Sequence, residues 1–119
     1  MKDNNLTVGR RGESIAREYL EAKGYIILEH NFRNKYSEID LIAKQKDILV
    51  FIEVRTKTSE RFGTPEESIN KNKIKRLIRS AQAYTAYKRY QDQSRIDAVC
   101  VVLGEDGHPE RINHYESIT

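Results

Sequence analysis

Two carboxylates, Asp40 and Glu53, interrupt neighbouring runs of aliphatic residues and are the side chains of this sequence best placed to do chemistry. A short polar segment joins the two runs, which are rich in β-branched residues, so the pattern predicts a β-hairpin. If Lys46 and Asp47 form a two-residue turn, Asp40 lies directly opposite Glu53 on the neighbouring strand. A three-residue loop would instead set Asp40 opposite a neighbour of Glu53 that points to the other face.

Alternation of side chains along the two strands decides which residues accompany this pair. It predicts one face of the first strand to carry Glu38, Asp40 and Ile42, and one face of the second to carry Phe51, Glu53 and Arg55. In the two-residue register, Glu38 then lies opposite Arg55.

Opposed carboxylates repel each other by roughly 0.2–1 kcal/mol even when they are exposed, and a bound divalent cation removes the repulsion. Oxygen ligands with open coordination positions suit Mg²⁺ or Mn²⁺, which also bind substrate phosphate. Such a metal polarises a phosphoryl group and lowers the pKa of an attacking water. Arg55 would stabilise charge on the phosphoryl oxygens and cannot act as a base. The alternative is a pair of exposed strand acids that form salt bridges with lysine and arginine.

The length of 119 residues and a hydrophobic content of 38% indicate one compact domain spanning residues 1–119. No apolar run approaches the about 20 residues that cross a bilayer. Residues 1–5 lack the apolar core of a signal peptide, so we expect a cytoplasmic protein without a membrane partner. The single cysteine, Cys100, excludes a disulfide framework and is expected to be a buried strand thiol rather than a nucleophile. The three histidines lack the spacing of a zinc site.

Positive charge is concentrated in residues 70–90. The net charge is only +3, but this segment holds seven basic and no acidic side chains, whereas residues 91–119 hold two basic and six acidic ones. Local asymmetry of this kind indicates a polyanionic partner. The sequence does not define the oligomeric state, and a homodimer is compatible with it.

The hydrophobic pattern predicts a mixed α/β domain in the order α-β-β-β-α-β-β, with a central sheet of about five strands flanked by helices. The predicted elements are a helix over 8–23, a strand over 25–33, the two hairpin strands, a helix over 70–90, a buried strand over 95–103 and a final strand over 111–118. Two starts compete for the second helix, a capping box at Thr64 and Glu67 and an N-cap at Asn70, and we favour Asn70. Glu13 borders the apolar stripe of the first helix, where it either reaches an interior site or complements the helix dipole.

The second helix is predicted to carry a basic face opposite its apolar one. The basic side chains are Lys75, Arg76 and Arg79, with Lys73 toward one flank. A solvated helix surface and a phosphate-binding surface both explain this face, and the absence of acids that would pair with the cations keeps the second interpretation open. Tyr87 and Tyr90 lie near the same side and are candidates for base stacking or for ordinary surface packing.

The spacing of Asp40, Glu53 and Arg55 resembles the PD-(D/E)xK nuclease superfamily, whose restriction-endonuclease-like fold is shared by Holliday-junction resolvases. A closer resemblance, over nearly the whole chain, is to the YraN-type bacterial family. The motifs that carry it are Gly9-x-x-Gly12-Glu13-x-x-Ala16, Asn31-x-Arg33, Glu38-Ile39-Asp40-Leu41-Ile42-Ala43, Val50-Phe51-Ile52-Glu53-Val54-Arg55, Phe62-Gly63 and Lys73-x-x-Arg76-Leu77. The hairpin motifs are specific in combination, whereas D…ExK alone is weak.

The resemblance implies a restriction-endonuclease-like fold and a metal-dependent endonuclease that hydrolyses phosphodiester bonds, including those of branched or damaged DNA. It implies that Mg²⁺ or Mn²⁺ is bound by Asp40, Glu53 and the backbone carbonyl of Val54. Glu13 would be the acid of the first helix, and Glu38 an acid near the site.

Two positions depart from the superfamily pattern: Ile39 stands where the name motif has proline, and Arg55 where it has lysine. A guanidinium orients water or phosphate but differs from an amine in shape and proton affinity, so the second exchange leaves catalytic competence open. Lys57, one strand alternation beyond Arg55, is a candidate substitute and a candidate nucleic-acid contact.

We therefore expect a nucleic-acid-binding protein, with DNA favoured over RNA, that acts as a Mg²⁺- or Mn²⁺-dependent endonuclease. The rival interpretation is a non-catalytic nucleic-acid-binding or adaptor module that keeps the nuclease fold, with Arg55 marking the lost chemistry. A third is a protein-interaction domain indifferent to nucleic acid.

Overall fold

Two helices and five strands make up the computed structural model, which describes residues 5–119. The elements are α1 (Asn5–Ala22), β1 (Ile26–Arg33), β2 (Glu38–Gln45), β3 (Ile48–Lys57), α2 (Lys71–Tyr87), β4 (Ser94–Leu103) and β5 (Pro109–Tyr115), with a 3-10 turn over Glu66–Ser68. This α/β architecture and its order, α-β-β-β-α-β-β, confirm the prediction. Residues 1–4, which supplied most of the argument about a signal peptide, lie outside the described residues.

The strands form one mixed sheet in chain order, β1-β2-β3-β4-β5. Neighbours are antiparallel except β3 and β4, which are parallel and are joined by the crossover through α2. β3 pairs with β4 as far as Lys57, but its ladder with β2 ends at Ile52. The last residues of β3 therefore have a main-chain partner on one side only.

Each helix covers one face of the sheet. The cluster beneath α1 includes Leu41, Ala43, Val50 and Ile52, and the cluster beneath α2 includes Ile39, Ile42, Leu49 and Phe51. The hairpin residues thus alternate between two cores, as expected for strands buried on both faces. Within residues 5–119, neither helix combines the length and the apolar character needed to cross a membrane.

The helix ends follow the predicted signals. Gly24, with φ of 91°, lies just beyond α1, and the Asn70 side chain caps α2 by accepting a hydrogen bond from the Lys73 N–H (2.9 Å). The competing capping box at Thr64 and Glu67 also forms, but it caps only the 3-10 turn. α2 ends three residues earlier than predicted.

The hairpin has the register that a two-residue turn requires. Leu41 pairs with Ile52 and Gln45 with Ile48, and Lys46 has the positive φ (55°) that tight hairpin turns use. The predicted register is confirmed, and the three-residue loop is excluded.

The predicted alternation along β2 is wrong at Asp40. Ile39 and Ile42 belong to the same cluster although they are three residues apart, whereas Leu41 belongs to the other cluster. On the paired strand, Asn31 has a φ of 52°, so both strands depart from regular geometry at this level. Asp40 therefore leaves the face of Ile42 and turns toward the end of the β2–β3 ladder.

The same irregularity changes the partner of Glu38. We predicted that Glu38 faces Arg55, but the β2–β3 ladder ends at the Leu41–Ile52 pair. The Glu38 carboxylate lies 2.7 Å from the guanidinium of Arg33 on β1, and Arg55 pairs with Glu53 instead. The prediction that Glu38 faces Arg55 is therefore wrong.

β4 is buried along most of its length, as predicted for a strand covered on both faces. Cys100 is completely buried in it, and burial raises the pKa of its thiol to about 12. This agrees with a structural thiol and argues against a nucleophile.

An ion-pair cluster joins the 3-10 turn to the edge strand β5. Glu66 accepts hydrogen bonds from both terminal nitrogens of Arg111 (2.6 and 3.1 Å) and from the Tyr115 hydroxyl (2.7 Å). The hydrogen bonds from Arg111 contribute most to lowering the pKa of Glu66 to about 2.

We expect this cluster to make stability depend on pH in the acidic range. A carboxyl with a lowered folded pKa stabilises the protein above its ordinary value of 4.5 and loses that contribution as the pH falls toward 2. Glu66→Gln should lower the free energy of unfolding by about 1–2 kcal/mol at pH 7 and by much less near pH 2, in urea unfolding at several pH values. Glu110→Gln, an exposed neighbour on β5, should change it by less than about 0.5 kcal/mol. An equal loss for Glu66→Gln at both pH values would contradict this prediction.

Candidate metal and nucleic-acid site

The carboxyl groups of Asp40 and Glu53 meet where the β2–β3 ladder ends. Asp40 Oδ2 accepts a hydrogen bond from the backbone N–H of Val54 (2.8 Å), so the side chain takes the place of a main-chain acceptor from β2. The Glu53 carboxyl is near enough for its charge to act on Asp40. Burial, reinforced by the charge of Glu53, raises the pKa of Asp40 well above its ordinary value.

Two cations surround Glu53, whose side chain is 3% exposed. Arg55 Nη2 lies 2.8 Å from Glu53 Oε2, and Lys73 Nζ, from the first turn of α2, lies 3.3 Å from the same oxygen. The Arg55 Nε–H is buried and has no hydrogen-bond partner among residues 5–119. A buried donor without an acceptor is unfavourable, so an oxygen-bearing ligand would be stabilised beside it.

Glu13 reaches this region because Gly12 lets α1 approach β3. A Cβ atom at position 12 would lie 1.7 Å from Thr56 Oγ1, a distance that no side chain tolerates. The absent side chain of Gly12 thus sets how closely the helix packs on the strand, and Glu13 follows it directly.

Asn31 joins two of the acids. Its Nδ2 donates hydrogen bonds to Glu13 Oε1 (2.6 Å) and to Glu38 Oε1 (3.0 Å). Burial raises the pKa of Glu13, and the charges on Glu38 and Glu53 add to the rise, against the hydrogen bond from Asn31. The hydrogen bond from Arg33 is the main cause of the lowered pKa of Glu38. The predicted acids therefore lie in one electrostatic neighbourhood, with Glu38 held by protein partners.

The sequence pattern assigned no role to Asn31. It predicted Lys73 as a nucleic-acid contact and not as a neighbour of Glu53. The signal that could have identified them is that each belongs to a family motif, Asn31 to Asn31-x-Arg33 and Lys73 to Lys73-x-x-Arg76. Their contacts depend on the break in β1 and on how α2 crosses the sheet, and spacing along the chain does not give either.

The donors at the end of the ladder fit a hard divalent cation. Mg²⁺ is usually held by one or two carboxylates and keeps several waters, and Asp40 with Glu53 offers two adjacent carboxylates. The N–H and C=O of one strand residue point toward the same neighbouring strand. The Val54 carbonyl therefore faces the side on which its N–H binds Asp40. Asp40, Glu53 and the Val54 carbonyl are therefore the groups that would hold such a metal.

The remaining predicted nucleic-acid contacts are on the surface around the site. Lys75, Arg76 and Arg79 are exposed on α2, and Lys57 is half-buried at the end of β3. The Arg76 carbonyl accepts a hydrogen bond from the Ser37 hydroxyl (3.5 Å), which ties α2 to the turn before β2. The exposed cations of α2 are thus held next to the hairpin and are open to phosphate groups.

A second group of ligand-type side chains lies at the start of β4 and the end of β5. Within residues 5–119, the three such side chains with atoms within 4.8 Å of one another are Asp97, His114 and Glu116. Asp97 already accepts hydrogen bonds from Arg95 (3.0 Å), from His114 (2.8 Å) and from the Ser117 N–H (3.0 Å). Burial raises the pKa of Asp97, but these hydrogen bonds outweigh burial and lower it overall. Since Arg95 neutralises the carboxylate, we interpret this group as a structural cluster.

Comparison with known proteins places the chain in a family. The family model described as "Uncharacterised protein family UPF0102" matches residues 12–101, which include both hairpin strands and α2. A UPF0102 protein of Caldanaerobacter subterraneus is 45% identical over 115 residues, covering 95% of this chain and 94% of the relative. UPF0102 proteins of Syntrophomonas wolfei and Clostridium beijerinckii are 41% and 36% identical, with 92% and 96% of this chain and 95% and 94% of each relative covered. The family-level resemblance is thereby confirmed, and this chain belongs to the UPF0102 family.

Proposed function

We propose that this protein is a cytoplasmic Mg²⁺- or Mn²⁺-dependent endonuclease that hydrolyses phosphodiester bonds in DNA. The observation that supports the proposal is a pair of neighbouring acids, Asp40 and the buried Glu53, at the open end of a β-ladder, where burial and the charge of Glu53 raise the pKa of Asp40. Two neighbouring acids in a desolvated position destabilise a fold unless one of them takes up a proton or a cation lies between them. The α/β fold with a mixed central sheet also agrees with the restriction-endonuclease-like fold that the PD-(D/E)xK resemblance implies.

The residues of the chain would position the reacting groups. A divalent ion, when bound, polarises the phosphoryl group and makes an attacking water more acidic. Asp40 is already fixed by the Val54 N–H, so this donor needs no reorganisation. Arg55 adds a permanent positive charge beside Glu53, and its buried Nε–H has no protein acceptor among residues 5–119.

Lys73 would supply the amine that the motif position of Arg55 lacks. Its Nζ lies 3.3 Å from the Glu53 carboxylate, so the ammonium enters the site from α2 rather than from β3. An ammonium donates hydrogen bonds from a compact point charge and can orient a water or a phosphate oxygen there. Glu13, with its raised pKa, is the acid of the site suited to carry a proton.

A cleavage assay on duplex, single-stranded and branched DNA with Mg²⁺ or Mn²⁺ tests the proposal. Asp40→Ala and Glu53→Ala should each reduce cleavage by roughly 1,000-fold or more, because each removes a metal donor that supports several kcal/mol of transition-state stabilisation. Lys73→Met should reduce cleavage about 10- to 100-fold. Lys46→Met, at an exposed lysine in the β2–β3 turn, should leave it within about twofold. Equal rates for the wild type and Asp40→Ala would contradict the proposal.

A non-catalytic nucleic-acid-binding or adaptor module is the second candidate, and one observation favours it. Glu53 is already paired with Arg55 and Lys73, as in a purely structural ion cluster. This candidate predicts no cleavage by the wild type with either metal. It also predicts DNA binding that survives Asp40→Ala and Glu53→Ala and weakens as salt rises.

A further inference from the structure

An apolar pocket of about 400 Å³ lies between the β1–β2 turn and the C-terminal half of α2. We call it the aromatic pocket, and its lining residues are Phe32, Asn34, Lys35, Tyr36, Ala83, Tyr84 and Tyr87. Its volume is within the range of about 300–1,000 Å³ typical of small-molecule sites. None of these residues takes part in the proposed metal site.

The floor of the pocket is buried and packed, and its walls are exposed. The buried Tyr84 ring packs edge-on against Phe32 (5.1 Å between centroids) and Phe51 (5.6 Å), and its hydroxyl donates a hydrogen bond to Glu29. Tyr87 is 80% exposed and Tyr36 is 38% exposed. Ring faces left open beside a fixed apolar floor are the usual means of stacking flat ligands.

Cations surround these rings. Lys35 Nζ lies 5.2 Å from the Tyr36 centroid, and Lys88 Nζ lies 5.7 Å from that of Tyr84 and 5.8 Å from that of Tyr87. Residues 70–90 contain no acid, and the carboxylate that touches the pocket floor, Glu29, is engaged by Tyr84. Aromatic rings with adjacent positive charge suit a ligand that combines a flat base with a phosphate.

The pocket and the metal site are connected along α2. Lys73 lies in the first turn at Glu53, and the Ser80 carbonyl accepts a hydrogen bond from Asn34 (3.2 Å), which fixes the β1–β2 turn on the helix. Ala83 and Tyr87 follow on the same helix face. Fourteen residues separate Lys73 from Tyr87, about 21 Å along the helix axis. At a rise of about 3.4 Å per nucleotide, this corresponds to about six nucleotides or fewer.

We propose that the aromatic pocket binds an unpaired nucleobase, stacked between Tyr36 and Tyr87, of a strand whose phosphates follow α2 to the metal site. The substrate class is then DNA with a single-stranded segment within about six nucleotides of the scissile bond. This inference rests on the proposed function, because it names the substrate of the same site. A base inside a duplex is already stacked on its neighbours and cannot enter the pocket without being extruded.

Tyr90, the other tyrosine predicted as a candidate for base stacking, does not line the aromatic pocket. Its hydroxyl donates hydrogen bonds to the carbonyls of Asp47 and Gln93, which fixes the ring beneath the hairpin. Of the two tyrosines that were candidates for base stacking, Tyr87 is therefore the one in position.

Binding without divalent metal tests the inference separately from catalysis. The probes are a labelled blunt duplex and the same duplex with a six-nucleotide single-stranded overhang, measured by fluorescence anisotropy. Tyr87→Ala and Tyr36→Ala should weaken binding of the overhang DNA about 5- to 100-fold. The affinity of the two alanine variants for the blunt duplex should stay within about twofold of the wild-type value. Tyr87→Phe, which keeps the ring, should bind both DNAs within about twofold of the wild type. Ile26→Ala, an exposed apolar residue of β1 outside the pocket, is the matched control.

The other possible outcomes of these binding measurements distinguish failure of the inference from failure of the proposed function. Equal losses on both DNAs, or no loss on either, overturn the inference while leaving the proposed function intact. No binding of either DNA by the wild type overturns both. Tyr87-dependent self-association in sedimentation, independent of DNA, would assign the pocket to a second copy of the chain and overturn the inference. Tyr87-dependent overhang binding by a protein that cleaves nothing would support the inference and contradict only the hydrolysis.

Discussion

Asp40→Asn is expected to stabilise the metal-free protein by about 1–3 kcal/mol at pH 7, a rise in melting temperature of several degrees. The substitution removes a carboxylate whose charged form is disfavoured by burial and by the nearby charge of Glu53, and the amide keeps a hydrogen-bond acceptor for the Val54 N–H. A carboxyl whose folded pKa is raised stabilises most at low pH and loses that contribution as the pH rises. The gain from Asp40→Asn should therefore grow from pH 4 upward and vanish below it.

Metal should offset the stability advantage of Asp40→Asn over the wild type. Mn²⁺ at 100 times its dissociation constant would stabilise the wild type by about 2.7 kcal/mol, because it binds only the folded state. Asp40→Asn should gain little from the same Mn²⁺, as measured by differential scanning calorimetry with and without metal. Asp92→Asn, at an exposed carboxylate, should behave like the wild type. A destabilising effect of Asp40→Asn without metal, together with equal stabilisation of both proteins by Mn²⁺, would remove the physical basis of the metal site.

Among the substitutions proposed for this protein, Asp97→Ala is expected to lower the free energy of unfolding most, by about 3–5 kcal/mol. Asp97 is completely buried, and its removal leaves the Arg95 Nε–H and the His114 Nε2–H without their acceptor. Lys23 Nζ lies 2.9 Å from His114 Nδ1. An ammonium only donates, so Nδ1 accepts and Nε2 bears the hydrogen given to Asp97. The substitution thus breaks a chain of bonds that connects the end of α1 with β4 and β5.

Urea unfolding of Asp97→Ala and of the milder Asp97→Asn checks this prediction. Asp97→Asn retains the shape of the side chain and should lose about half as much stability, since one acceptor oxygen and the charge are gone. Asp106→Ala, at an exposed carboxylate, should change stability by less than about 0.5 kcal/mol. A loss below 1 kcal/mol for Asp97→Ala would show that the cluster contributes little to the fold.

The architecture was predictable because its signals are local. Asn70 caps α2 through its own side chain, and the turn at Lys46 fixes the pairing of Leu41 with Ile52, so short-range chemistry specifies both. The continuous apolar run of β4 likewise indicated a strand covered on both faces.

The site was predictable in its residues more than in its contacts. Strict alternation places Glu38 opposite Arg55. The strands are irregular at Asn31 and Asp40, however, and Glu38 forms its ion pair with Arg33 instead. Such an irregularity depends on how two strands and two cores fit together, and no single segment encodes it. The role of Lys73 was missed for a related reason, since the angle at which α2 crosses the sheet decides whether its first turn reaches Glu53.

The tip of the hairpin sets the spacing of the proposed chemistry from a distance. Lys46 lies six residues from Asp40, about 20 Å along the strand. One residue inserted beside Lys46 would slide one strand past the other by a single position and carry one acid of the pair to the opposite side of the sheet. The length of the β2–β3 turn, which touches neither carboxylate, is therefore constrained as tightly as the carboxylates themselves. A change in that length would abolish the proposed metal site although Asp40 and Glu53 both remain in the chain.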